Sequence, residues 1–423
     1  LGYTQWAVAA DAPPTLKALV PGITSSQFSS VIYTDGALAL DTFLRWTYLM
    51  EVMDRKGKGA ISGWEMMRQL GPPGVARHLL PAFGHLPLRE ADEVAVGHPV
   101  PYYRDWLAHP NSDDPYWESI DHRARLDHVA APVHLISGWY DFLLRELLTD
   151  YAVPKEAGRS PYLTIGPYAH TNLGLIGEAL RQGLEWFDAH LRGTRRRLRK
   201  KPVRVRVMGV DEWRDLDTWP PPAQERHYYL HAGRRLSLAA PGGDSPPDRY
   251  RYGPADPTPA VGGPLFMAPS GPVDNRALEA RPDVLTFTTE PLVQALEVIG
   301  PVRLVLYVRS SLAHTDFFGR LCDVYPDGRS INVCDGLFRI QPGKGQAQPD
   351  ASLRIEVDMW ATAYRFQRGH HLRLQVSSGA LPRWSRNLGT GEPVASGTRM
   401  LAADQTVFHD SAHPSALVLP VTL

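Results

Sequence analysis

Cysteine is nearly absent. Two occur in 423 residues, Cys322 and Cys334, and no Cys-x-x-Cys pair or His/Cys cluster offers a metal site. The two flank Pro326-Asp327-Gly328, a hairpin turn signal, so a cross-strand disulfide is open. Two cysteines in a chain of this size more often stay free and buried. An excess of charge is absent too: 45 Lys and Arg face 45 Asp and Glu. A field strong enough to gather nucleic acid or a membrane surface is therefore not expected. Long apolar runs are missing, and those present are too short and too interrupted to span a bilayer. No secretory signal is visible, but the true start is expected upstream of Leu1, which deprives that absence of meaning. No repeat of fixed period occurs, and no cofactor is called for. Apolar residues make up 43% of the chain, enough for a large core, and the length suggests two to three domains.

Two short segments carry the chemistry. One is Val133-His134-Leu135-Ile136-Ser137-Gly138-Trp139-Tyr140-Asp141; the other is Tyr162-Leu163-Thr164-Ile165-Gly166-Pro167-Tyr168-Ala169-His170. Each is a bounded apolar run ending in a turn and a polar residue, which reads as a buried parallel strand. Helical spacing over Phe142–Val153 joins them into a strand–helix–strand unit. Loops at the carboxyl ends of such strands hold ligands and chemistry. Asp141 and His170 both fall there, on neighbouring strands. The carboxylate can hold the imidazole in one tautomer, so that it acts as a base. Taken singly, Asp141 is as well read as a helix cap, and His170 is one of 16 histidines. Their order, Asp then His, is that of the second and third members of an α/β-hydrolase triad, whose nucleophile comes first, on a Gly-x-Ser-x-Gly elbow. Leu1-Gly2-Tyr3-Thr4-Gln5-Trp6 reads as the tail of such an elbow.

On these residues the chain resembles the cocaine-esterase-like acyl hydrolases, relatives of the X-Pro dipeptidyl peptidases and α-amino-acid ester hydrolases. The matching stretches are Leu1–Trp6, Gly138–Asp141 and Gly166–His170. Met208-Gly209-Val210-Asp211-Glu212-Trp213-Arg214, Gly369-His370 and Val376-Ser377-Ser378 follow in family order. The resemblance implies a nucleophilic serine two residues before Leu1. It also implies an oxyanion hole, formed by a backbone N–H and a Tyr hydroxyl, that precedes Leu1. Asp141 and His170 are the implied orienting carboxylate and general base. A chain without its serine would be inactive alone.

The fold class expected is α/β: an α/β-hydrolase part with an inserted helical cap, followed by an all-β jelly-roll sandwich. Residues 1–27 form the first hydrolase piece, with a helix over 4–12 and a short strand over 16–22. Residues 28–126 form the cap, 127–200 the second hydrolase piece and 201–423 the sandwich. Period-two alternation begins at Val203-Arg204-Val205-Arg206-Val207 and recurs at 302–308, 353–357 and 372–376. Residues 240–283, rich in Pro, Gly and Asp, read as a surface-crossing loop region. The basic run Arg195-Arg196-Arg197 reads as a solvated connector rather than an anion site. Trp360, Tyr364 and Trp384 could offer a sugar platform, but an interface between the domains is preferred.

Substrate class follows in part from the resemblance. Amino-ester hydrolases of this group grip an α-ammonium with acids shortly after the triad Asp. Here Phe142, Leu143 and Leu144 follow Asp141, and Glu146 is the first acid. An apolar wall cannot hold a buried ammonium, so a neutral, apolar or aromatic acyl ester is the expected small-molecule partner. Phe142 or Leu143 would wall the acyl pocket. Trp46 and Trp117 lead the cap's candidates, with the cap's own core as the alternative for each. Leu381, in Gly379-Ala380-Leu381-Pro382, is the sandwich's candidate. The alternatives are an X-Pro dipeptidyl peptidase or amide acylase and, from another class, a non-catalytic binding protein. A homodimer is open, and the cytoplasm is the favoured compartment.

Overall fold

The computed structural model describes residues 2–422. Helix α1 (Gly2–Ala9) opens it. Gln5 ties this helix to the segment that follows: its amide donates to Val20 O at 3.1 Å and accepts from Val20 N at 3.0 Å. The run 16–22, expected as a strand, makes only isolated parallel bridges, Leu19 to Val133 and Gly22 to Ile136. Gln5 occupies the backbone groups that a longer ladder would use at Val20.

A helical segment follows. Helix α2 (Leu40–Gly57) buries Leu40, Phe43, Leu44, Tyr48 and Val52, spaced by three and four. Asp41 in its first turn and Arg55 and Lys56 in its last complement the helix dipole. Helix α3 (Gly63–Leu70) starts at Ser62, whose hydroxyl accepts from Glu65 N at 3.1 Å, the first half of a capping box. Helix α4 (Pro101–Ala108) takes its Pro in the first turn, where the missing N–H costs nothing. These helices close around Phe43, Tyr103, Trp106 and Trp117, a core of their own.

The strand–helix–strand unit comes next: β1 (His134–Tyr140), α5 (Leu144–Glu156) and β2 (Tyr162–Ala169). The two strands are parallel, His134 opposite Tyr162 through Gly138 opposite Gly166. Gly138 is required there, since a Cβ would stand 2.1 Å from Tyr168 O. Helix α6 (Leu173–Leu191) begins at Asn172, which caps Gly174 N at 2.8 Å.

Strand β3 (Val203–Val207), read from the sequence as the first strand of the sandwich, pairs in parallel with β2, Leu163 opposite Val203, and extends the hydrolase sheet. Strand β4 (Glu212–Leu216) then closes the edge antiparallel to β3. Alternation marks a half-buried strand; it does not say which sheet the strand joins.

The remainder is a large, almost wholly antiparallel sheet folded into packed layers. Strand β5 (Leu296–Ser310) pairs with β8 (Leu353–Phe366), and β6 (Thr315–Val324) pairs with β7 (Ser330–Ile340) and with β9 (His371–Ser377). The layers meet where side chains vanish: a Cβ on Gly336 would lie 1.8 Å from Asp358 O. Cys322 faces Asn332 and Cys334 faces Leu321, with an extra residue between; both thiols are free and buried. They are not cross-strand partners. Trp360, Tyr364 and Trp384 are all buried, and Tyr364 shares one apolar core with Trp139 and Met208 of the hydrolase side. They are interface and core residues, with no open face for a sugar.

Candidate active site

The motif residues around Asp141 each hold something. Trp139 donates its indole N–H to Arg206 O at 2.7 Å, pinning β1 to β3. Tyr140 donates its hydroxyl to Asn332 O at 3.1 Å, pinning β1 to the sandwich. Asp141 follows at the strand's carboxyl end and is fully buried. Its Oδ1 accepts from Leu143 N at 2.9 Å and from His170 Nδ1 at 3.1 Å, and its Oδ2 accepts from Ser137 Oγ at 3.3 Å. With Nδ1 donating, Nε2 of His170 carries no proton and is free to accept one.

His170 sits between two rings. Phe142 lies 4.5 Å from it, centroid to centroid, and Phe266 lies 5.4 Å away. The two phenylalanines meet edge-on at 5.6 Å. Trp46 packs edge-on against Phe266 at 6.2 Å. Together with Tyr3, Phe28, Phe43, Leu143 and the backbone turn at Ile23–Ser25, they enclose a cleft of about 220 Å³ at His170.

Of the five residues expected at an acyl pocket, Phe142, Leu143 and Trp46 line this cleft. Trp117 does not. It is buried inside the helical core, its indole N–H donating to His109 O at 3.1 Å. Leu381 also lies elsewhere, lining a separate cavity with Phe83, Arg339 and Arg386. The sandwich reaches His170 through Phe266 instead, which lies in the stretch read from sequence as a surface-crossing loop. The signal available was an aromatic placed after Gly262-Gly263-Pro264. Both glycines have positive φ, +62° and +78°, so the loop turns sharply there. Two charged groups then fix it. Arg320 donates to Val261 O at 2.5 Å, and Phe266 N donates to Asp41 Oδ2 at 3.3 Å. Asp41 is itself held by Arg45 at 2.7 Å.

The floor of the cleft is built from α1 and the turn after Gly22. A Cβ on Gly2 would lie 2.5 Å from Thr24 Cβ, so only glycine allows this approach. Ile23 has φ of +52°, a conformation that costs a β-branched residue of order 1–3 kcal/mol. The hydroxyls in this turn are engaged locally: Thr24 with Ser25 O at 3.4 Å, and Ser25 with Gln27 O at 2.8 Å. The serine and oxyanion donors expected ahead of Leu1 lie outside the described residues.

Ser26 continues the turn into a buried ionic cluster. Its N–H and hydroxyl donate to Asp150 at 2.7 and 2.5 Å, and Arg123 reaches Asp150 at 3.3 Å. Glu146, the first acid after Asp141, accepts from Arg123 at 2.5 Å and from Ser30 at 2.7 Å. Burial pushes the Asp150 carboxyl up to about 6, against the lowering by Arg123 and Ser26. The folded state thus binds a proton there that the unfolded state, near 3.8, does not. Stability from this group is present at low pH and falls as pH rises through about 6. Urea unfolding from pH 4 to 7 should therefore lose more stability in the wild type than in Asp150→Asn. Parallel pH profiles would refute the assignment.

A buried Asp paired with a His at the ends of adjacent parallel strands, under an apolar cleft, is the arrangement that the last two members of an α/β-hydrolase triad take. The comparisons agree. Residues 1–172 match the model of the X-Pro dipeptidyl-peptidase (S15 family), and residues 198–418 match the X-Pro dipeptidyl-peptidase C-terminal non-catalytic domain. A cocaine esterase from Rhodococcus sp. (strain MB1 Bresler) is 34% identical over 464 aligned residues, covering 100% of this chain and 79% of that protein. An aminopeptidase structure from the marine sediment archaeon Thaumarchaeota archaeon superposes with a TM-score of 0.80 at 21% identity, covering 100% of this chain and 75% of that one. A CocE/NonD family hydrolase structure from Staphylococcus aureus superposes at 0.67 with 15% identity, covering 100% and 70%. The chain belongs to the CocE/NonD family of serine hydrolases, with the C-terminal domain of the X-Pro dipeptidyl peptidases.

Proposed function

We propose that this protein cleaves carboxylic esters with neutral, apolar or aromatic acyl groups through an acyl-enzyme. A serine ahead of Leu1 attacks the ester carbonyl. His170 Nε2 takes its proton and then delivers it to the leaving alkoxide, and the buried Asp141 carboxylate stabilises the imidazolium in between. Water repeats the sequence on the acyl-enzyme. The helical segment 28–126 acts as the cap, and Trp46 and Phe43 present its apolar face to the acyl group.

The observation that carries the substrate class is the lining of the cleft. It holds Phe28, Phe43, Trp46, Phe142, Leu143 and Phe266, and no Asp or Glu among the described residues. Glu146, which could have gripped an ammonium, is instead spent on Arg123 and Ser30. A protonated amino group would enter this cleft unpaired. That weighs against a dipeptidyl peptidase and an amino-ester hydrolase. The Rhodococcus relative, a cocaine esterase, is also an ester-cleaving enzyme.

The test, run on the protein with the segment ahead of Leu1 included, compares kcat/KM for a p-nitrophenyl benzoate with that for the matching α-amino acyl ester. A preference of about 100-fold or more for the neutral ester is expected, and Phe266→Ala should cut benzoate turnover by about tenfold. Equal or better turnover of the amino ester would overturn the substrate class. No turnover of either would favour the binding-protein reading.

A further inference from the structure

A further cavity, of about 340 Å³, lies at the C-terminal half of α2, on the segment whose first turns carry Asp41 and Trp46 of the cleft. Three guanidinium groups line it, each from a different element. Arg55 comes from the last turn of α2, Arg68 from α3, and Arg77 from a single π-type turn, Val75–Leu79. That turn is real in hydrogen bonding: Leu80 N donates to Val75 O, five residues back. Such turns are rare and recur at functional sites. The approach of α3 to this turn depends on Gly74, where a Cβ would lie 1.8 Å from Gln69 O.

The charges are not balanced from within. Arg68 is satisfied by Glu65, with Nε and Nη2 on the two carboxylate oxygens at 2.7 and 2.6 Å. Arg55 and Arg77 make no ion pair among the described residues. Glu51, one helical turn before Arg55, also lines the cavity, and its carboxylate lies 3.2 Å from His98. His78 stacks on Tyr48 at 5.5 Å and is held below its ordinary range by burial and by the three arginines, so it stays neutral and able to donate. Arg55 and Arg77 are exposed and solvated, so an anion entering the pocket would meet two guanidinium groups with donors to spare.

We propose that this cavity binds a phosphoryl group, free or as a monoester. Two unpaired forks from two elements, with Arg68 beside them already bound to Glu65, suit an acceptor with oxygens in more than one plane and two negative charges. A carboxylate offers one plane and one charge. The volume leaves room for a substituent on the phosphate. Arg55 and Arg77 supply the unpaired donors, Arg68 the third side, and His78 a neutral donor on the floor.

Calorimetric titration of the full chain with inorganic phosphate, and separately with glucose 6-phosphate, tests this at constant ionic strength held with chloride. Saturable binding at one site is expected. Arg55→Gln and Arg77→Gln should each weaken it about tenfold, and Arg192→Gln, on the exposed end of α6, should not. Tighter binding of the sugar phosphate assigns the site to an esterified ligand; equal binding assigns it to the free anion. Hydrogen exchange on the unmodified chain keeps the test independent of how the variants fold, because phosphate should protect amides over residues 66–79. Phosphate no better than chloride, no protection there, or the same loss in Arg192→Gln would overturn the proposal.

Discussion

Asp141→Ala lowers kcat on an aryl ester by about 10⁴-fold, with KM nearly unchanged. The size follows from how completely this carboxylate is committed. It is fully buried, and its Oδ1 is shared by His170 Nδ1 at 3.1 Å and Leu143 N at 2.9 Å. Removing it frees the imidazole to rotate or to take the other tautomer, which carries the proton on the nitrogen that must act as base. It also removes the negative charge that meets the imidazolium in the transition state. Asp141→Asn separates these two losses. The Leu143 N–H needs an acceptor, so it holds the new amide's oxygen where Oδ1 of Asp141 lies, with the amide NH₂ toward Ser137 Oγ. The tautomer is then kept and only the charge is lost, so the Asn variant should fall between wild type and the Ala variant. Steady-state kinetics on both variants, with circular dichroism to check folding, reads this directly. An Asn variant as poor as the Ala variant would mean that Leu143 does not hold the amide. Near wild-type rates in both would remove Asp141 from the catalytic unit.

The Asp–His pair was legible in sequence because its determinants are local. Each residue ends a short apolar run, and the helix between them is long enough only for a parallel crossover. The glycines and aromatics of the motifs turned out to position it: Gly138 admits Tyr168, and Trp139 and Tyr140 tie the strand to its neighbours. The pocket was only half legible. Trp46 and Trp117 carry the same chemistry in the same helical segment. One faces the cleft and the other the helical core, and that choice is made by packing between elements. Phe266 was not legible at all. It sits in a Pro- and Gly-rich stretch without period, and what brings it to His170 is a pair of distant charges, Asp41 and Arg320. Leu381 was expected in its place from the family pattern. Its own loop does sit nearby, its carbonyl accepting from Ala260 N at 2.7 Å, but the side chain lines another cavity. Strand β3 shows the same limit at the level of the fold, since alternation carries no address.

Asp335→Ala destabilises the protein by about 3–5 kcal/mol, the range for stripping a buried charge cluster of its counter-ion. Asp335 and Arg320 are each 1% exposed and pair at 2.8 Å, and Arg383 holds the other carboxylate oxygen. Burial pushes the Asp335 carboxyl up, but Arg383 and Arg320 more than offset it and keep it below the usual range. With the carboxylate gone, two guanidiniums remain in the core. Arg383 keeps its stacking on Trp384 at 3.9 Å, and Arg320 keeps Val261 O and Asn275 Oδ1 at 2.5 and 2.7 Å and the face of Phe318 at 5.3 Å. Replacing all three by apolar residues, Arg320→Met with Asp335→Leu and Arg383→Met, should recover most of the stability, because the desolvation cost disappears with the charges. It should not recover the preference for aromatic acyl groups. Arg320 is what holds Val261, and the turn after Val261 delivers Phe266 to His170. Urea midpoints at constant m report the first effect and the benzoate-to-acetate ratio of kcat/KM reports the second. If Asp335→Ala stays within about 1 kcal/mol of wild type, the cluster is not counted as buried charge. If the triple variant regains both stability and the benzoate preference, the loop finds His170 without Arg320, and the link between the sandwich core and the acyl pocket is broken.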